Sequence, residues 1–167
     1  SVTPSDPHIQ VEHVTTPDHM LAACTRHFAH CDAAILSAAV ADYKPAVVAP
    51  DKIKKGAETY MLELVRTPDV AQSLGQMKKP GQLLIGFALE TINGPGHARE
   101  KLSSKNLDMI VLNNPRESGA GFGHDTNKVS FLFPGNKEEH FELKSKRAVA
   151  HDIAEALYHL KYGKASK

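Results

Sequence analysis

With 167 residues, 41% of them apolar and 23% charged, the chain has the size and composition of one globular domain with its own core. A net charge of +1 excludes a global field that would recruit nucleic acid or a membrane surface, so any basic site is local. No apolar run is long enough to span a bilayer, and two cysteines, Cys24 and Cys31, make no disulfide framework, so a reducing cytoplasm is the expected setting.

The opening run Ser1-Val2-Thr3-Pro4-Ser5-Asp6-Pro7 reads as a loop and, without an initiator Met, suggests a piece of a longer chain. Ile9 to Val14 alternates apolar and polar residues, which predicts a short strand. Thr16-Pro17-Asp18 is a helix start, with Met20, Ala23, Cys24, His27 and Phe28 at helical spacing. Ala33 to Ala38 predicts a buried strand. Ile53 to Lys55 and Thr59 to Val65 flank Gly56 and predict a projecting hairpin arm. Thr67-Pro68-Asp69 repeats the helix-start signal, with Val70, Leu74 and Met77 on one face.

Leu83 to Ala88 and Asp108 to Leu112 are further apolar strands, separated by a polar helix over His97 to Lys105. Asn113 to Asn127 is a glycine-rich loop. Lys128 to Phe133 and His140 to Lys144 predict a hairpin around Pro134-Gly135-Asn136, and Ala148 to Leu160 an amphipathic terminal helix. Alternating strands and helices predict an α/β fold: a Rossmann-like, mostly parallel sheet with helices on both faces and an antiparallel C-terminal hairpin.

Several strand and helix ends carry chemistry. Ala38-Ala39-Val40-Ala41-Asp42-Tyr43-Lys44-Pro45 hands an apolar strand over to an acid, with Lys52, Lys54 and Lys55 close behind. Ligands of open α/β sheets sit beyond the carboxyl ends of strands. A carboxylate there suits a hard cation, and lysines suit phosphates. The plainer readings are a turn acid and a solvated arm that discourages edge pairing. Pro68 and Asp69 open a helix whose free N–H groups would hold an anion or a polar ligand edge, or simply be capped.

Gly86 would admit a ligand close to the backbone, and Phe87 is either core or a stacking ring. Lys101 and Lys105 share a helix face, either solvated or as an anion site. Gly119-Ala120-Gly121-Phe122-Gly123 lacks the strand before it and the helix after it that a dinucleotide fingerprint needs, so a flexible turn or lid is expected. Cys24, His27 and Cys31 imitate a metal cluster, but Met20 and Phe28 on the same face favour core.

Five motifs occur in order: the Ala38–Tyr43 run, Lys52-Ile53-Lys54-Lys55, Thr67-Pro68-Asp69-Val70, Gly86-Phe87-Ala88-Leu89-Glu90-Thr91 and Gly121-Phe122-Gly123-His124-Asp125-Thr126-Asn127. Together they closely resemble the phosphopantothenoylcysteine synthetase family, the C-terminal half of the bacterial bifunctional coenzyme A biosynthesis flavoprotein. The resemblance covers nearly the whole chain and implies a single ligase domain over residues 1–167, in a homodimer and in some proteins fused to a decarboxylase that carries FMN. The family's N-terminal strand–helix unit and its Asn-x-Ser-Ser-Gly segment have no counterpart here.

The implied reaction joins cysteine to 4′-phosphopantothenate with CTP and Mg2+, through an acyl-cytidylate. Carried over by position, the resemblance implies nucleotide contacts at Leu36, Ser37, Ala38, Asp42, Lys52, Pro68, Asp69, Val70, Ala71, Phe87, Lys101 and Lys105. It implies the metal at Asp42 and a catalytic role for Lys52, carried on a dimerisation flap. The alternative is a nucleotide-binding or dimerisation module without activity. A nicotinamide-dependent reductase is disfavoured, because no fingerprint follows a strand.

Overall fold

The computed structural model describes residues 6–56, 58–89, 94–113 and 123–163. Its centre is a mixed sheet of strand order β1-β4-β5-β7-β8, formed by β1 (Ala33–Leu36), β4 (Leu83–Leu89), β5 (Met109–Asn113), β7 (Val129–Leu132) and β8 (Glu138–His140). β1, β4 and β5 run parallel, with Leu36 opposite Gly86 and Phe87 opposite Val111. β7 and β8 add antiparallel, as the hairpin signal predicted, with Ser130 opposite His140. The turn between them is the 3-10 segment Pro134–Asn136, where Gly135 and Asn136 take positive φ of 76° and 65°.

Side-chain alternation along the strands builds two cores. Leu84, Ala88, Ile110 and Leu132 face Phe28 of α1 (Pro17–Phe28), Leu74 of α2 (Val70–Met77), and Ala98 and Leu102 of α3 (Gly94–Ser104). Leu83, Ile85, Met109, Val111 and Phe131 face Val149 and Ile153 of α4 (Lys146–Tyr162). Helices therefore cover both faces, three on one side and α4 on the other. No helix of the described residues is long and apolar enough to cross a membrane.

Three expectations change. Residues 9–14 form no strand: Glu12 is drawn instead to Arg26 and to His27 (Nε2 at 2.7 Å), which lays this segment along α1. The arm is real, but its paired strands are β2 (Tyr43–Pro45) and β3 (Leu64–Arg66), not Ile53 to Lys55. Between them the described residues of 46–63 have no regular pairing and expose Val47, Val48, Tyr60 and Met61. Finally, Thr16 caps α1 by accepting from the His19 amide, but Thr67 does not cap α2. Asp69, directly before Val70, does so by accepting from the Gln72 amide, while the Thr67 hydroxyl donates to the Ala41 carbonyl.

β6 (Thr126–Asn127) pairs with β9 (Lys144–Ser145) at the end of the glycine-rich stretch. Residues 114–122 of that stretch, with most of the expected turn or lid, lie outside the described residues.

Candidate functional site

A cleft of about 970 Å³ runs along β1 and α1 to the carboxyl end of β1, with Gly86 and Phe87 of β4 on its wall. This is the position that topology assigns to ligands in an open α/β sheet. Its first wall is the end of β1, where Leu36, Ser37 and Ala38 line it, and the loop that follows, which contributes Val40 and Asp42. That loop is held by Thr67, whose N–H donates to the Asp42 carbonyl at 3.0 Å and whose hydroxyl donates to the Ala41 carbonyl.

The second wall is the start of α2, with Pro68, Asp69, Val70 and Ala71. Phe87 of β4, Lys101 of α3 and Lys105 just after α3 complete the set. Lys52 is the one expected contact that does not line the cleft; it is exposed on the 46–63 excursion.

The floor is an electrostatic knot. Asp69 Oδ1 accepts from the Gln72 amide at 3.0 Å, and Oδ2 accepts from Lys105 Nζ at 2.8 Å. Burial works to raise the Asp69 pKa, but the hydrogen bonds from Lys105 and from the Gln72 amide outweigh it and hold the carboxyl below its ordinary range. The positive end of α2 is thus already answered by its own carboxylate. An incoming anion would meet Asp69 there, so this wall is fitted to polar donors rather than to phosphate.

Packing sets what two residues of β4 bring to the cleft. Gly86 lines the cleft, and a Cβ there would meet Leu107 Cδ1 at 2.8 Å, so the same glycine also makes room for the end of the Leu107 side chain. Phe87 borders the cleft, yet it packs against the α4-side core and is half-buried rather than a free ring.

Asp42 is exposed, and its carboxylate has no partner among the described residues. One such carboxylate fits Mg2+, which is held by one or two carboxylates together with substrate phosphates. No group of three or more His, Cys, Asp or Glu that could hold a metal occurs among the described residues. The apolar end of the cleft carries Cys24 and Cys31; Cys31 lies beyond the end of α1. Burial, then the Glu12 carboxylate, push the Cys24 thiol above its ordinary pKa, which makes it a poor nucleophile at neutral pH.

Sequence reasoning missed Arg66, Tyr43 and Thr67, all of which line the cleft. The signal was available in part. They sit at the two ends of the arm, where the chain must return to the sheet.

Residues 1–160 match the family model described as the DNA/pantothenate metabolism flavoprotein C-terminal domain. The chain is 43% identical over 126 residues to the coenzyme A biosynthesis bifunctional protein CoaBC of Bacillus subtilis, covering 75% of this chain and 31% of that protein. It is 46% identical over 153 residues to a cysteine/cysteine sulfinic acid decarboxylase of an unknown prokaryotic organism, covering 92% of this chain and 43% of that protein. The chain thus spans less than half the length of these relatives.

Among solved structures, the C-terminal domain of a coenzyme A biosynthesis bifunctional protein CoaBC aligns with TM-score 0.76 at 34% identity, over 96% of this chain and 72% of that one. The DNA/pantothenate metabolism flavoprotein from Streptococcus pneumoniae shares the fold, with TM-score 0.75 at 19% identity over 94% of this chain and 76% of that one.

Proposed function

Because the chain belongs to the family of DNA/pantothenate metabolism flavoprotein C-terminal domains, we propose that it is the ligase part of a coenzyme A biosynthesis protein, joining cysteine to 4′-phosphopantothenate at the expense of CTP. One observation carries the reading: the nucleotide contacts expected at β1, α2, β4 and α3, far apart in sequence, border a single cleft at strand ends. A carboxylate oxygen of phosphopantothenate attacks the α-phosphorus of CTP, and the bond to pyrophosphate breaks. The cysteine amine then attacks the acyl carbon, CMP leaves, and the amine proton passes to solvent.

The cleft supports this chemistry by alignment and charge more than by a protein nucleophile. Asp42 would hold Mg2+, which would supply charge neutralisation on the phosphates. Lys52 is the catalytic cation, reaching the phosphates from the arm. The arm exposes Val47, Val48, Tyr60 and Met61, which supports its use as a homodimer contact. FMN belongs, on this reading, to a fused decarboxylase half and is assigned no residue here. The cytoplasm is the matching compartment.

The test is to supply the full-length protein with CTP, Mg2+, phosphopantothenate and cysteine and to follow pyrophosphate. Release that needs phosphopantothenate supports the ligase; no release with CTP or ATP sinks it. The second reading is a nucleotide-binding or dimerisation module without ligase activity. Calorimetric CTP binding without turnover would favour it.

A further inference from the structure

The cleft has more carboxylates and cations than the motifs assign, and most are already engaged with each other. Lys105 is held by Asp69 at 2.8 Å. His27 is held by Glu12 at 2.7 Å. The N-terminus of α2 is closed by the Asp69 carboxylate, which accepts from the Gln72 amide. Two of the features that would attract a polyphosphate to the floor are therefore spent on one acid.

Arg66 is different. It is the last residue of β3, lies directly across the ribbon from Tyr43, and lines the cleft with it. Directly opposed residues of an antiparallel pair project to the same side of the ribbon. Thr67 fixes the position of Arg66, since its amide and hydroxyl tie the chain to Asp42 and Ala41 immediately after it. The Arg66 residue is exposed, and its guanidinium has no hydrogen bond or ion pair among the described residues. Asp42, the cation candidate, lines the cleft beside the same ribbon.

We infer that Arg66 is a phosphate-binding residue of the cleft, gripping the polyphosphate of the nucleotide on the arm side, near Asp42. The planar guanidinium offers a fork of donors that matches two phosphate oxygens at once, which an ammonium does not. Arg66 thereby adds, inside the cleft, a cation that the lysine-rich run did not supply, since Lys52 does not line it. The two cations divide the work: Arg66 holds the ground-state nucleotide, and Lys52 acts in turnover. This inference rests on the nucleotide-ligase reading above.

Calorimetry on the full-length protein separates the possibilities, using CTP with Mg2+ and, in parallel, cytidine. Arg66→Gln should weaken CTP binding about tenfold, the loss of one charge-assisted contact, while cytidine affinity stays unchanged. Arg66→Lys should lie between the two, since it keeps the charge and loses the fork. CTP affinity of Arg66→Gln within twofold of the unmodified protein overturns the inference alone. Equal losses for CTP and cytidine would also overturn it, because they would mark a structural role. An unmodified protein that binds neither CTP nor ATP overturns this inference and the ligase reading together.

Discussion

Asp69 Oδ2 accepts a hydrogen bond from Lys105 Nζ at 2.8 Å, joining the residue before α2 to the residue after α3 across the floor of the cleft. Asp69 also caps α2 through its other oxygen. One carboxylate thus sets both the start of a helix and the position of a cleft lysine. Asp69→Ala should therefore cost stability through the cap alone, by about 1 kcal/mol. Asp69→Asn, which can still accept from Gln72, should cost less. Urea denaturation of the two variants measures the difference; equal losses would show that the cap contributes nothing.

The same carboxylate gives an acid-side signature. Its pKa is lowered in the folded state. The stability it contributes is full above the unfolded value, near about 4, and is lost as pH falls through the folded value. The stability gap between the unmodified protein and Asp69→Asn should be constant near neutral pH and shrink in that acid window. Denaturation midpoints taken across the acid range decide it, and a gap that persists unchanged into strong acid contradicts the assignment.

Gly75 is the contact point between α2 and the end of α3. A Cβ there would lie 2.0 Å from the Lys105 carbonyl oxygen, which is backbone and cannot swing aside. The Asn106 side chain also donates to the Gly75 carbonyl at 2.9 Å. Gly75→Ala should cost about 1–3 kcal/mol by overpacking, and it should weaken CTP binding because Lys105 moves with its backbone. Gly86→Ala should cost less, since its clash is with the end of the Leu107 side chain. Thermal melts and CTP calorimetry on both variants test the order.

On the arm, Met61 is 96% exposed, with Tyr60 and Leu62 beside it. If the arm joins two copies, Met61→Asp should shift the protein toward monomer without lowering the stability of the isolated fold. Analytical ultracentrifugation reads this directly. An unchanged mass distribution would remove the arm from the interface.

Lys52→Gln should lower turnover by tenfold or more, about 1.4 kcal/mol of barrier, with little change in CTP affinity. Lys54→Gln, two positions along the same arm, should leave both near normal. Steady-state pyrophosphate release with parallel binding measurements checks the split; equal small effects would reduce the arm lysines to a solvated surface.

Much of this architecture could be read from local pattern. Helices α1 and α4 and strands β4 and β5 carry periodic apolar positions that admit few other foldings. The errors fall where a local signal had a distant competitor. Residues 9–14 alternate like a strand, but Glu12 finds Arg26 and His27. Thr67 looks like a cap, but its hydroxyl finds Ala41.

The sequence by itself determined the α/β layering and which strand and helix ends bear acids and cations, because periodicity and end-capping are properties of a few adjacent residues. Only the tertiary structure decided how those charges are spent. Asp69 and Lys105 are separated by two helices and a strand, and nothing local in either announces the other. Arg66 gains its place in the cleft from the pairing of β3 with β2, a contact across the arm whose register no single stretch of residues encodes.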